Sequence, residues 1–302
     1  MNVMWRFESE QKVFEIGGVK IGGMPGERPT VLIGSIFYGK HRIVEDERKG
    51  VFNRSMAEEL INVQEEFSGK TGNHCMLDVV GATSEALIKF LDFTAEASSS
   101  PLLMDGASSD VRIEGLKHVD EVGLSERIVY NTITPKYKPE ELEALKNSDV
   151  KSVVLLAYYT KDFTSRGRLK VVKEVIPKLQ EIGVEKIMVD TCVVDIPSLG
   201  SACKTIYDVK NELGYPSGCG AHNAIGTWTG LKTKMGKQAR NPSMATASVF
   251  PTTIGADFVL YGPIEEADYI FPTVALVDAA YAQISIEKGI RPHAGHPIFK
   301  IP

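Results

Sequence analysis

Six short polar residues share one setting. Ser35, Asp78, Asp105, Asn131 and Asp190 each close an apolar run, and Asn223 follows one within a few positions. The runs read V-L-I-G-S, C-M-L-D, L-L-M-D, I-V-Y-N and K-I-M-V-D, and the last is Y-P-S-G-C-G-A-H-N-A from Tyr215 to Ala224. Five of the six are carboxylates or amides, and none is Lys, Arg or Glu. A lysine at such a position would suggest Schiff-base chemistry. Several histidines would suggest a hydrolytic metal centre, but His74 starts its run rather than ending it. Glycine-rich loops would suggest phosphate, and Gly262-Pro263 is a weak match. Carboxylates and amides together suit a neutral ring that carries both donors and acceptors. One carboxylate takes a pair of N–H donors as it takes a guanidinium, and amides serve either kind of ring edge. A pterin is such a ring. Gly220 and His222 are further candidates to line the site with Ser35, because small residues there let backbone and ligand come close.

Residues of this kind need a frame that gathers strand ends. Eight apolar runs read as strands, at Thr30–Phe37, His74–Val80, Pro101–Asp105, Arg127–Asn131, Lys151–Ala157, Lys186–Asp190, the Tyr215 stretch and Asp257–Tyr261. Helical patterns separate them. Examples are Met56, Leu60, Val63 and Phe67 at helical spacing, a helix from Ser165 to Ile182, and one that Ser198 begins and Gly214 ends. A helix-like segment follows Gly226, and the last helix spans about 268–288. Eight strand–helix units without a phosphate-type glycine loop favour an α/β (β/α)8 TIM barrel over a doubly wound sheet. The expectation is one domain over residues 1–302. An N-terminal β-hairpin at about 10–25 plugs the bottom, the barrel fills about 30–290, and 291–302 is a tail. The charged stretch Lys40–Gly50 reads as a solvated loop. In a barrel the strand C-termini converge on one mouth, where the chemistry sits.

Each candidate also has a plainer role open to it. Asp105 can cap a helix, Asp78 and Asp190 can be structural, Asn131 can serve a turn, and His222 can be a packing neighbour. On consecutive strands, together, they are hard to explain as structure alone.

Composition excludes some classes. With 302 residues, 43% hydrophobic and 24% charged, the chain has the make-up of a globular protein. Its net charge of −5 and scattered basic residues argue against nucleic acid as a partner. Cys75, Cys192, Cys203 and Cys219 show no C-x-x-C pairing, and nothing in their spacing demands zinc. No apolar run approaches the roughly 18 residues of a bilayer span, and Met1–Glu8 lacks the order of a signal peptide. The expected setting is cytoplasmic.

Several motifs carry a resemblance over essentially the whole length. They are E-Q-K-V-F-E-I-G-G from Glu10, I-F-Y at 36–38, His41 to Asp46, Y-N-T-I at 130–133 and L-Y-G-P-I-E at 260–265. By these the chain resembles the MtrH family of tetrahydromethanopterin S-methyltransferase and bacterial relatives that methylate tetrahydrofolate from a corrinoid protein. More remotely it is similar to other pterin-binding barrels, among them the dihydropteroate synthases. The resemblance implies that Asp105 and Asp190, with Asn131, hold the pterin, that Asp78 assists, and that Asn223 lies beside pterin N5. It implies methyl transfer between N5 and a corrinoid (cobalamin) on a partner protein that docks at the barrel mouth, with no metal in this chain. It also implies a homodimer. Two departures stand out. Gly226 replaces a glutamine found in the corrinoid/iron–sulfur branch, and the lysine of dihydropteroate synthases near this loop is missing. No His has an Asp two residues before it, so the D-x-H-x-x-G cobalamin motif is absent. The alternatives are a non-catalytic barrel subunit of a methyltransferase complex and a dihydropteroate-synthase-like condensing enzyme.

Overall fold

The computed structural model describes residues 5–302; residues 1–4, on which part of the signal-peptide reading rests, lie outside the described residues. Val13–Ile16 (β1) and Val19–Gly22 (β2) pair as an antiparallel hairpin. Its turn residues Gly17 and Gly18 have φ of 50° and 82°, the left-handed values that such a two-residue turn requires. The chain then runs β3 (Val31–Ile36), the short antiparallel pair β4 (Val44–Asp46) and β5 (Val51–Phe52), α1 (Arg54–Thr71), β6 (Cys75–Gly81), α2 (Ser84–Ala97) and β7 (Leu102–Gly106). Next come α3 (Ser109–Glu121), β8 (Ile128–Ile133), α4 (Pro139–Asn147), β9 (Ser152–Leu156), α5 (Ser165–Glu181), β10 (Lys186–Asp190) and α6 (Ile196–Leu213). β11 (Ser217–Cys219) is followed by α7 (His222–Gly226), α8 (Leu231–Met235) and α9 (Arg240–Thr253), then β12 (Phe258–Pro263) and α10 (Ala267–Glu287). β3 and β6 to β12 close a barrel of eight parallel strands, the expected (β/α)8 architecture.

Side chains alternate across each strand, and this period sets the contents of the barrel. Leu77, Val79, Leu102, Met104, Ile128 and Tyr130 point outward into the layer shared with the helices. Val31, Ile33, Met76, Leu103, Val129, Val154, Met188, Phe258 and Leu260 point inward. Ile16, Val19 and Ile21 of the hairpin pack into this inner cluster, so the hairpin does plug the bottom. One step of two residues further along each strand, the inward layer turns polar: Ser35 after Ile33, Asp78 after Met76, Asp105 after Leu103, Asn131 after Val129 and Asp190 after Met188. An apolar interior thus supports a polar lid of side chains at the mouth.

The floor is tied by buried polar contacts. Lys210 Nζ lies 2.6 and 2.8 Å from the Asp257 carboxylate, which also accepts the Ser217 N–H at 2.9 Å. Asp278, on α10, accepts the Thr30 N–H (2.8 Å), the Thr30 hydroxyl (2.9 Å) and Asn73 Nδ2 (2.6 Å).

Four expectations need correction. The loop after β3 is not simply solvated: it folds into β4–β5 and buries His41 and Ile43. The cap of α6 is Asp195, not Ser198, which sits three residues in and completes a reciprocal capping box. The segment before β12 is broken into three helices and starts at His222. Finally, residues 264–287 are long and apolar enough, by length and composition, to cross a bilayer, with a mean hydropathy of 1.3. Small and hydroxylated residues break up that run to the eye. Its inner face, including Ile270, Phe271, Val274 and Asp278, is buried in the barrel fold.

Candidate active site

A cavity of about 420 Å³ opens at the C-terminal ends of the barrel strands. Ser35, Asp78, Asp105, Asn131, Asp190, Gly220, His222 and Asn223 all line it, so every candidate named from the sequence reaches one mouth. On the β3–β8 side the groups bind one another. Asp78 accepts the Ser35 hydroxyl at 2.7 Å and Asn131 Nδ2 at 3.0 Å, so both its oxygens are engaged. Asn131 thereby spends its donor within the protein and keeps its amide oxygen as an acceptor. Asp190 accepts the Cys192 N–H at 2.7 Å. Cys192 holds a left-handed φ of 62° there, a strained value for a residue with a side chain. Asp105 differs: partly exposed to the cavity, it has no hydrogen bond from the described residues.

The electrostatics follow from that inventory. Burial raises the Asp78 carboxyl to about 6, against the lowering effect of Ser35 and Asn131. Burial likewise raises Asp190 to about 6, opposed by main-chain donors and by Arg168. Asp105 is pushed well above the usual carboxylate range by burial and by the neighbouring charge of Asp78. The nearby cation Arg112 is already committed, with Nη2 2.6 Å from Glu141 and Nη1 donating to the Gly106 carbonyl at 2.7 Å. Three crowded carboxylates without a free cation gain most from a ligand that brings N–H donors. Among the described residues no group of three or more metal-ligating side chains gathers.

The opposite wall is made by glycines and α7. Asn223 does not sit at a strand end, as the sequence suggested, but on the exposed first turn of this short helix. A side chain at Gly220 would place its Cβ 3.1 Å from Asn223 Nδ2, and one at Gly262, where φ is +96°, would lie 2.7 Å from His222 Cγ. His222 Nδ1 is 3.1 Å from the Leu260 carbonyl. That oxygen can only accept, so Nδ1 carries the proton, and burial favours the neutral ring.

Sequence reasoning missed the rim. Tyr38 lines the cavity with its ring stacked 4.2 Å from that of His41. Its hydroxyl lies 3.3 Å from Glu265, and His41 Nε2 lies 3.0 Å from the same carboxylate. Since His41 Nδ1 accepts the Phe37 N–H at 3.0 Å, Nε2 donates to Glu265. Tyr38 and Glu265 both fall in stretches that carry the resemblance. A separation of 227 positions gave no sign that they meet.

Fold and mouth together define a barrel of the pterin-enzyme shape, with an acid-and-amide site at the C-terminal ends of its strands. The family model "Tetrahydromethanopterin S-methyltransferase MtrH subunit" matches residues 9–293, and the chain belongs to that family. It is 39% identical to the family's tetrahydromethanopterin S-methyltransferase member from Methanopyrus kandleri, covering 95% of this chain and 96% of that one. The corresponding protein of Methanothermobacter thermautotrophicus is 38% identical, with 99% and 100% covered. Among solved structures, the dihydropteroate synthase of Xanthomonas albilineans in complex with 7,8-dihydropteroate superposes with a TM-score of 0.62 at 16% identity. That likeness spans 89% of this chain and 98% of the synthase, and it concerns the fold.

Proposed function

We propose that this chain transfers a methyl group between a corrinoid protein and N5 of a tetrahydropterin, tetrahydrofolate or tetrahydromethanopterin, in the cytoplasm. The direction we favour runs from the methylated corrinoid to tetrahydrofolate. The observation that carries the reading is Asp105, a carboxylate at the mouth without a hydrogen-bond donor among the described residues, beside Asp190. The 2-amino and N3–H donors of a pterin supply what these carboxylates lack. Asn131, its Nδ2 fixed by Asp78, offers an amide oxygen to a further ring donor. Asn223 faces the same cavity from the other wall, where its amide can hydrogen-bond N5 without itself titrating.

A corrinoid on a partner, when docked, supplies a cobalt centre that exchanges a methyl cation equivalent and keeps the bonding electron pair. This chain contributes position. Its carboxylates fix the ring plane, and Asn223 stabilises the charge that develops at N5 or orients its lone pair. A homodimer belongs to the same proposal, and sedimentation tests it.

Titration with tetrahydrofolate and with tetrahydromethanopterin is the first test; binding of neither rejects the reading. Given binding, Asn223→Ala should cut transfer far more than affinity, and equal losses would make the residue an anchor. Two other readings stay in play. The barrel likeness to dihydropteroate synthases favours a condensing enzyme, and turnover with p-aminobenzoate would support it over methyl transfer. Pterin binding without turnover of either kind would leave a non-catalytic subunit.

A further inference from the structure

Two features meet on the strand-seven side of the mouth. The first is an open apolar cleft of about 430 Å³ between α7, α9 and the start of α6, with Ile196, Ile225, Trp228 and Phe250 in its walls. Ile196 and Phe250 are 43% and 44% exposed, and Met235 on the adjoining α8 is 57% exposed. The same short helix α7 gives Asn223 to the pterin cavity and Ala224 and Ile225 to this cleft. One helix, about 10 Å across, separates the two.

The second feature is charge. From Leu213 to Ala256 the chain has no Asp or Glu, yet it carries Lys232, Lys234, Lys237 and Arg240 in a protein of net charge −5. Arg240 pairs with Glu266 and so pins the segment to the loop after β12. Lys232, Lys234 and Lys237 are exposed, and among the described residues none lies within ion-pair distance of a carboxylate.

We infer that this cleft and its lysine border are the docking face for the corrinoid-carrying protein, which seats apolar side chains in the cleft and carboxylates on the lysines. The inference rests on the proposed methyl transfer and says where the partner sits. Apolar anchors in a pocket hold a complex together, and border charges of one sign steer an oppositely charged partner onto it. A second copy fits poorly, because a two-fold contact through this patch would bring lysines toward lysines.

The test compares two methyl donors: the corrinoid protein of the source organism, purified by its corrinoid absorbance, and free methylcobalamin. The triple variant Lys232→Glu/Lys234→Glu/Lys237→Glu removes the charge, and Thr246→Trp fills the cleft from an exposed position in its wall. Each should raise KM for the corrinoid protein by about tenfold or more. The triple variant should also lose the rise of KM with salt that the unaltered chain shows between about 0.05 and 0.5 M. Pterin affinity and turnover with free methylcobalamin should stay within about twofold. An unchanged KM in both variants overturns the inference. So does an equal loss with free methylcobalamin, which would mean that the segment shapes the pterin cavity. Dissociation of a dimer by either variant would assign the cleft to a second copy. If the unaltered chain binds no pterin and uses neither donor, the methyl-transfer reading fails and this inference falls with it, a result told apart because no variant is needed to see it.

Discussion

The two ends of the barrel bury the same kind of group and use it in opposite ways. At the floor, Asp257 faces Lys210, and Asp278 receives two N–H donors and a hydroxyl. At the mouth, Asp105 receives no donor among the described residues, and Asp190 has main-chain donors only. Burial therefore does not separate a structural carboxylate from a functional one. Unused acceptor capacity does. Asp78 stands between the two cases, saturated by Ser35 and Asn131 yet part of the cavity lining, and it holds Asn131 in place.

The sharpest way to break this comparison is to remove a floor partner. Lys210→Met leaves the Asp257 carboxylate buried without its cation, which costs about 3–5 kcal/mol. Chemical denaturation should show that loss, and the double variant Lys210→Met/Asp257→Leu should regain most of it. The fraction still folded should bind pterin as before. Loss of affinity in the folded fraction would mean that the two ends are not independent.

The matching change at the mouth is Asp105→Asn, and the expectation is reversed. No protein donor loses its acceptor, and a carboxylate that burial disfavours becomes neutral, so stability should hold or rise. Pterin affinity should fall by about ten- to hundredfold, the worth of a hydrogen bond to a charged group. A destabilised variant with normal affinity would move Asp105 to the structural class.

Much of this was legible in the sequence, for a physical reason. Parallel strands covered on both faces read as unbroken apolar runs, so a polar residue at the end of each run stood out, and the eight units gave the barrel. The period of two that places Asp78 above Met76, or Asp190 above Met188, follows from the pleat alone. Contacts between loops distant in the chain did not show. Tyr38 with Glu265 was missed because no local pattern couples them, and the charges around His41 hide the burial of its ring. α7 was missed because Gly220 and Ala221 resemble a fading strand until the backbone turns at His222.

A pH series separates the ends without substitution. Asp78 and Asp190 at the mouth and Asp278 at the floor are each raised by burial to about 6. The folded state thus holds protons that the unfolded state releases near 4. Stability is highest below that range, falls as pH rises to about 6 and is level above it. Both ends contribute to that profile. Pterin affinity should register the mouth alone, since the ring's donors need ionised acceptors. It should rise by up to about tenfold per pH unit between roughly 5 and 6 and flatten near 7. Asp190→Asn should weaken that rise, and Asp278→Asn should leave it intact. A flat affinity profile in the unaltered chain would rule out the mouth carboxylates as the ring's acceptors.

The smallest expected effect tests whether the rim belongs to either class. Tyr38→Phe removes a long hydrogen bond of 3.3 Å to Glu265 and keeps the ring that stacks on His41. Glu265 retains the His41 donor at 3.0 Å and Arg42 at 3.8 Å, so its position should hold. If Tyr38 serves as a wall, the loss is about 1 kcal/mol at most, and it should enter KM while kcat stays level. Such a split marks binding that is equal in the ground and transition states. Tyr38→Ala, which also deletes the ring, should raise KM further. A large fall in kcat for Tyr38→Phe would instead mean that the hydroxyl acts on the reacting atoms, and unused acceptor capacity would then no longer be enough to find this site's working groups.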